Sequence, residues 1–216
     1  METFSNQVDA LTGFSTTDND ALSDWLTSGA REIINMMPRD LKKKCTTETT
    51  LNNSATTMDM DGVGEILYVN RLSADTGGSR IPCREVSSMY GELSNDDNSI
   101  YKASETDPVY WILSSGDAAI LNVIPTPTAN QTAIVHHLSY PSVSVADVDT
   151  IPNFPDEAEP LVVLYVASKM ALQFATTEAD NEDSELYAMY SDMYAKLKAE
   201  YMQGLQALKG GEEPRR

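Results

Sequence analysis

The stretch Ile151–Ala175, IPNFPDEAEPLVVLYVASKMALQFA, decides how this chain is read. A Pro- and acid-marked entry runs into a segment that is apolar on almost every side, the pattern of a buried helix. Asp156 and Glu159 stand at capping-box spacing, and Pro160 is early enough to be tolerated in the first turn. The longest unbroken apolar run is Leu161–Ala167. Ser168, Lys169 and Gln173 interrupt its continuation, so the segment is expected to fall short of the ~20 residues a membrane span needs. A single domain of modest size seldom needs so evenly apolar a helix. A chain that packs against copies of itself has a use for one.

Downstream, Thr176–Asn181 connects to a second helix expected over Asp183–Leu208. Leu186, Tyr190, Met193, Leu197, Tyr201, Leu205 and Leu208 form one stripe at helical spacing, and Tyr187, Tyr194 and Tyr201 repeat every seven residues beside it. Asp192 and Lys196 make a favourable i,i+4 pair, Lys209 complements the helix dipole, and Gly210 is placed as the C′ residue. Together the two segments predict an antiparallel helical hairpin. Upstream, Ser142–Pro155 reads as a linker.

The N-terminal helix is marked by Thr17 and Asp20 in a capping-box-like start, with Asp18 and Asp20 at the positive end of its dipole. Leu22, Trp25, Leu26, Ala30, Ile33, Ile34 and Met37 give it one apolar face, and Pro38 ends it. The basic turn Arg39–Lys44 holds four of the chain's fifteen basic residues. Its charges are either solvated or set against an acidic neighbouring subunit.

Between the helical ends, Thr46–Tyr140 is rich in Thr, Val and Ile and punctuated by turn residues. Ala55–Asp59 and Glu65–Leu72 predict a hairpin around Asp61-Gly62-Val63-Gly64. Val109–Ser114 and Ala118–Ile124 predict a second around Ser115-Gly116-Asp117, with Gln131–Tyr140 pairing next. Arg84–Leu93 is ambiguous, strand or one to two helical turns, and Asn95–Ser99 is an exposed loop. The expected fold class is therefore α+β. A helical bundle (N-terminal helix plus C-terminal hairpin, residues 1–45 and 142–209) carries an inserted antiparallel β domain (46–141), and 210–216 form a flexible tail.

Length allows one to two domains with a real core: 216 residues, 41% hydrophobic. A net charge of −18 disfavours phosphate-backbone and anionic-membrane partners, and fits plain solubility, a saline native environment or a surface that DNA slides past. METFSNQVDALTG has no basic region followed by an apolar run, so no signal peptide is expected. Cys45 and Cys83 lie outside any CxxC pattern and suit a reducing compartment, with neither a disulfide framework nor zinc. Asp59, Asp61, Gly62 and Glu65 superficially suggest a calcium loop, but Val63 and Asn70 occupy positions that need ligands. His136 and His137 are adjacent on a strand and point to opposite faces, so they are read as structural. No GxSxG elbow, GxGxxG or Walker loop is present, and no catalytic residue, metal or cofactor is expected.

Two segments carry a family resemblance: Ala21–Leu41, ALSDWLTSGAREIINMMPRDL, and Asn153–Ala175, preceded by a strand ending in Leu138-Ser139-Tyr140-Pro141. The order helix, β insert, strand, FPDE-type entry and helical hairpin resembles head-to-tail connector (adaptor) proteins of tailed bacteriophages, including the tail tubular A type. The resemblance implies a virion structural protein of the neck or tail, assembled in the host cytoplasm. It implies a homo-oligomeric, commonly dodecameric, ring that joins the portal protein to tail or nozzle proteins. DNA would pass through without specific binding. On this chain it makes Gly210, Gly211, Glu212, Glu213, Pro214, Arg215 and Arg216 a candidate portal-docking tail, with a frayed terminus as the alternative. Trp25, Tyr187 and Tyr194 are candidate subunit-interface anchors, or core residues. The competing functions are another neck or tail component (tail completion, terminator or baseplate) and a non-enzymatic β-sandwich binding module.

Overall fold

The fold is α+β, built from two compact units, Met1–Cys45 with Tyr140–Arg216 and Thr46–Ser139. It is seen in a computed structural model that describes residues 3–15, 18–73, 78–115, 118–145 and 150–210.

The first unit is helical. It contains α1 (Phe4–Thr12), α2 (Asn19–Met36), a single turn α3 (Arg39–Lys42), α5 (Glu159–Asp180) and α6 (Ser184–Gly210). Helix α5 is the centre, with α1, α2 and α6 packed around it. Leu161, Val162, Val163, Val166, Ala167, Met170, Ala171 and Ala175 are buried there. Against them lie Phe4 and Val8 of α1, Leu22, Leu26, Ile33 and Ile34 of α2, and Leu197, Tyr201 and Leu205 of α6. Two glycines stand where the partners approach closely. A Cβ on Gly29 would stand 2.7 Å from the Tyr165 ring, and one on Gly204 2.2 Å from Leu161 Cδ2. Aromatic contacts close the far end: Phe14 meets Phe174 at 4.5 Å and Tyr190 at 5.2 Å between ring centroids. The Tyr201 hydroxyl donates to Glu32 at 3.0 Å, tying α6 to α2.

Several local expectations need correction. The segment Phe4–Thr12 is a helix: Thr3 caps it by accepting from Asn6 N, and Gly13 ends it at φ 75°. The stripe Phe4, Val8, Thr12 that buries it is short, and the turn-forming residues around it mask it. Asp18 is the cap of α2, accepting from Ala21 N at 3.0 Å, while Thr17 lies outside the described residues. Met37 is extended (ψ 148°), as a residue before proline prefers. No side-chain capping bond forms at the start of α5. Glu159 turns back and accepts from Ile151 N at 2.7 Å, which pins the entry segment to the helix. Gly210 is the last residue of α6 and not the residue beyond it. Length and composition do not exclude a membrane span either. Asp156–Asp180 is long and apolar enough to cross a membrane, with half of its apolar window buried inside the protein. What marks it as a core helix is the ring of α1, α2 and α6 around it.

The second unit is a sandwich of two four-stranded sheets, ordered β1-β8-β3-β4 and β2-β7-β6-β5. The strands are β1 (Thr46–Leu51), β2 (Thr57–Asp59), β3 (Ile66–Leu72), β4 (Arg80–Pro82), β5 (Arg84–Glu85), β6 (Val109–Ser115), β7 (Ala118–Ile124) and β8 (Ala133–Leu138). Helix α4 (Ser88–Leu93) follows β5. Leu51, Val69, Ala133 and Val135 from one sheet meet Met58, Tyr110, Leu121 and Val123 from the other in one buried cluster. The expected β6–β7 hairpin forms, with Val109 opposite Ile124; its turn residues Gly116 and Asp117 lie outside the described residues.

The first predicted hairpin does not form. β2 pairs with β7, whereas β3 pairs with β8 and β4, so the turn after Asp59 carries the chain between sheets. β8 likewise crosses over and joins β1 and β3 instead of β7. β5 runs parallel to β6, so the second sheet is mixed. Arg84–Leu93 is both things it could be, a two-residue strand and then α4.

Candidate interaction surfaces

The titratable groups that chemistry would need are taken up structurally. The Asp59 carboxylate accepts from Asp61 N at 3.0 Å, and Val63 N donates to Met60 O, which makes a local turn of the would-be calcium loop. His137 is buried, its Nε2 3.0 Å from Thr49 Oγ1 and its Nδ1 3.0 Å from Leu138 O. His136 stacks on Tyr68 at 4.1 Å and its Nδ1 lies 3.3 Å from Glu48. Among the described residues no cluster of His, Cys, Asp and Glu could hold a metal ion. Both thiols are buried, and burial pushes Cys45 up to about 11 and Cys83 up to about 12. Thiols so protonated are poor nucleophiles.

The surfaces are more informative. On α6, Tyr187 is exposed and borders a hollow of about 220 Å³ with Glu178, Ala179, Glu182, Asp183 and Ser184, at the turn joining α5 to α6. Tyr194 is half-buried, and its hydroxyl accepts from Lys198 Nζ at 2.8 Å. The two tyrosines lie seven residues apart on one helix. Trp25, half-buried on α2, is not joined to either by the ring contacts of the described residues. Gly211–Arg216 lie outside the described residues.

A groove of about 440 Å³ runs between α1 and α5, lined by Gln7, Ala10, Leu11, Pro160, Val163 and Leu164, with Leu11 exposed at its edge. The basic turn after α2 is partly neutralised: Lys43 pairs with Asp40 at 2.6 Å and Lys44 with Glu157 at 2.7 Å, and that hydrogen bond lowers the Glu157 pKa. Met36, exposed, stands next to it.

The β unit carries the surface that sequence reasoning missed. Met89, Tyr90 and Leu93 on α4, and Ile100 and Tyr101 on the loop after it, are all exposed. Ile100 is 91% exposed and Met89 68%, well beyond the scattered apolar exposure of an ordinary surface. The Tyr90 and Tyr101 rings touch at 4.7 Å, so helix and loop form one continuous surface. Ser94 O accepts from Ala103 N and closes that loop. Beneath it, Gly91 lies flat on Trp111, where a Cβ would come within 2.2 Å of the indole. A cleft of about 420 Å³ lined by Arg84, Glu85, Val86, Ser87, Tyr90, Ser94 and Tyr101 opens beside the patch. The available signal was Met89, Tyr90 and Leu93 on one side of a polar loop and Ile100 and Tyr101 on the other, five large side chains in a stretch with no periodicity to bury them.

Among curated proteins, none matches the chain significantly. The family described as SU10 adaptor protein does match, over residues 3–213, and so spans the helical unit, the β unit and most of the tail. The chain therefore belongs to the SU10 adaptor protein family.

Proposed function

We propose that this protein is a head–tail adaptor subunit that closes into a dodecameric ring between the portal and the tail and lines the DNA channel. The observation that carries the reading is the extent of the family match, 3–213, which leaves neither unit outside the adaptor pattern. Membership makes the protein a structural component of a phage virion, and its work is assembly without a chemical step. A ring interface is heterologous: one patch meets a different patch on the next copy. The groove between α1 and α5, the exposed edge of α6 with Tyr187 and Tyr194, and Trp25 supply surfaces of that kind. The net charge of −18 suits a channel wall, because carboxylates repel a phosphate backbone and release it. Gly210–Arg216 reach for the portal in this reading.

Electron microscopy of purified portal mixed with this protein tests it. One added layer with a lumen poor in Lys and Arg is expected. A portal that gains no layer rules the adaptor role out, and a lumen lined mainly by basic side chains rules out the repulsive channel. Deleting 210–216 should weaken portal binding at least tenfold; unchanged affinity would remove the docking role of the tail.

A further inference from the structure

We propose that the exposed patch of α4 and its loop is one half of the contact between neighbouring copies, and that the Met36–Lys44 turn of the next copy is its occupant. The proposal rests on the ring reading and adds, to the helical surfaces named there, one further pair of patches that meet.

The patch has the anatomy of a docking site. Its centre is apolar and aromatic (Met89, Tyr90, Leu93, Ile100, Tyr101), and its edge is acidic on balance: Glu92, Asp96 and Asp97 are exposed, and Lys102 pairs with Asp97 at 2.8 Å in an exposed ion pair that offsets one of the three. The rim keeps this patch from pairing with itself, since two copies face to face would bring like charges together. It calls for a surface with an apolar point and a basic border. In a chain with 33 acids and 15 basic residues, such a surface is scarce. Arg39, Lys42, Lys43 and Lys44 are the densest basic run, and exposed Met36 stands beside them. The local pairs do not block the contact: the side chains of Lys43 and Lys44 are 63% and 55% exposed. Exposed pairs of this kind hold weakly and exchange readily for a partner in a drier setting. The cleft beside Tyr90 and Tyr101 offers a recess for an unbranched side chain such as methionine. Two different patches, complementary in charge and on one chain, are what a heterologous contact requires.

The test uses necks assembled on the portal from equal parts of unlabelled and ¹⁵N-labelled protein, treated with a zero-length carbodiimide cross-linker. Isotopically mixed cross-links should join Lys42, Lys43 or Lys44 to Glu92, Asp96 or Asp97. Rings that form normally but give mixed cross-links elsewhere overturn this assignment and leave the adaptor reading standing. No ring at all overturns both. As a second arm, Ile100→Asp should weaken ring assembly at least tenfold while the melting temperature of the free subunit stays put, since Ile100 touches little of its own chain. Lys42→Glu with Lys43→Glu should do the same, and adding Asp96→Lys with Asp97→Lys should restore assembly. Full assembly by Ile100→Asp, or no restoration by the charge swap, refutes the contact.

Discussion

Among the described residues, Arg71 is the bulkiest side chain that is fully buried, at 1% exposure. Its guanidinium donates through Nη1 to Glu105 at 2.5 Å, through Nη2 to Glu105 and Gln131 at 3.2 Å each, and through Nε to Pro125 O at 2.8 Å. One strand residue thus holds two loops, 103–107 and 125–131, against β3. Such a pair adds little over a well-packed apolar alternative, but breaking it on one side strands the other partner. Arg71→Met is expected to cost ~3–5 kcal/mol. Arg71→Lys should also destabilise, because an ammonium cannot reproduce the planar fork. Urea unfolding followed by Trp111 fluorescence in a Trp25→Phe background reads the β unit separately, since these are the two tryptophans of the chain. A loss under ~1 kcal/mol for Arg71→Met would mean the network is ornamental.

At the scale of elements, three glycines stand where a helix touches its neighbour, and the neighbour decides what each is worth. A Cβ on Gly91 would press on three indole atoms of Trp111 at 2.2–2.5 Å, and the rigid ring cannot yield. On Gly29 it would meet the Tyr165 ring at 2.7 Å and 3.2 Å. On Gly204 it would meet only the far methyl of Leu161, which can rotate away. Overpacking costs ~1–3 kcal/mol, and Gly→Ala inside a helix returns ~1 kcal/mol of propensity. Thermal melts should therefore rank Gly91→Ala as most destabilised, Gly29→Ala next and Gly204→Ala near neutral. A destabilised Gly204→Ala beside a neutral Gly91→Ala would contradict the packing described.

The same scale explains what could be read in advance. α2, α5 and α6 declare themselves because their apolar spacing is local, and so does the β6–β7 hairpin, whose partners are close in the chain. The Asp61–Gly64 turn also looks like a hairpin locally. However, β2 and β3 find better partners more than sixty residues away, Met58 opposite Leu121 and Val69 opposite Val135. Long-range pairing of that kind leaves no mark on a single sequence. The α4 patch was illegible for a related reason: exposure is a property of what the rest of the chain fails to cover.

For the whole molecule, the buried weak acids set an alkaline limit. Burial, together with the charge of Glu85 and the hydrogen bond the Tyr110 hydroxyl donates to it, pushes Tyr110 up to about 12; burial pushes Tyr201 up as well, with Glu32 adding to it. Cys45 and Cys83 move the same way through burial, to about 11 and about 12. In each case the folded state holds its proton more tightly than the unfolded chain does. Above the unfolded thiol value of 9.0 and phenol value of 10.0, unfolding releases protons, so stability falls as pH rises. Below pH 9 these four groups contribute in full; the two thiols lose their contribution between about 9 and 12 and Tyr110 between about 10 and 12, while Tyr201 begins to lose its own from about 10 and keeps part of it beyond that window. The melting temperature should fall across that window. Self-repulsion of a chain at −18 pushes in the same direction, and salt separates the two. About 1 M salt shrinks the screening length to ~3 Å and removes most of the repulsion, but leaves deprotonation of a buried group in place. A fall that survives high salt, and that is delayed when Cys45 and Cys83 are both replaced by alanine, assigns the limit to the buried acids. A melting temperature that becomes flat to pH 11 in salt would assign it to surface charge instead.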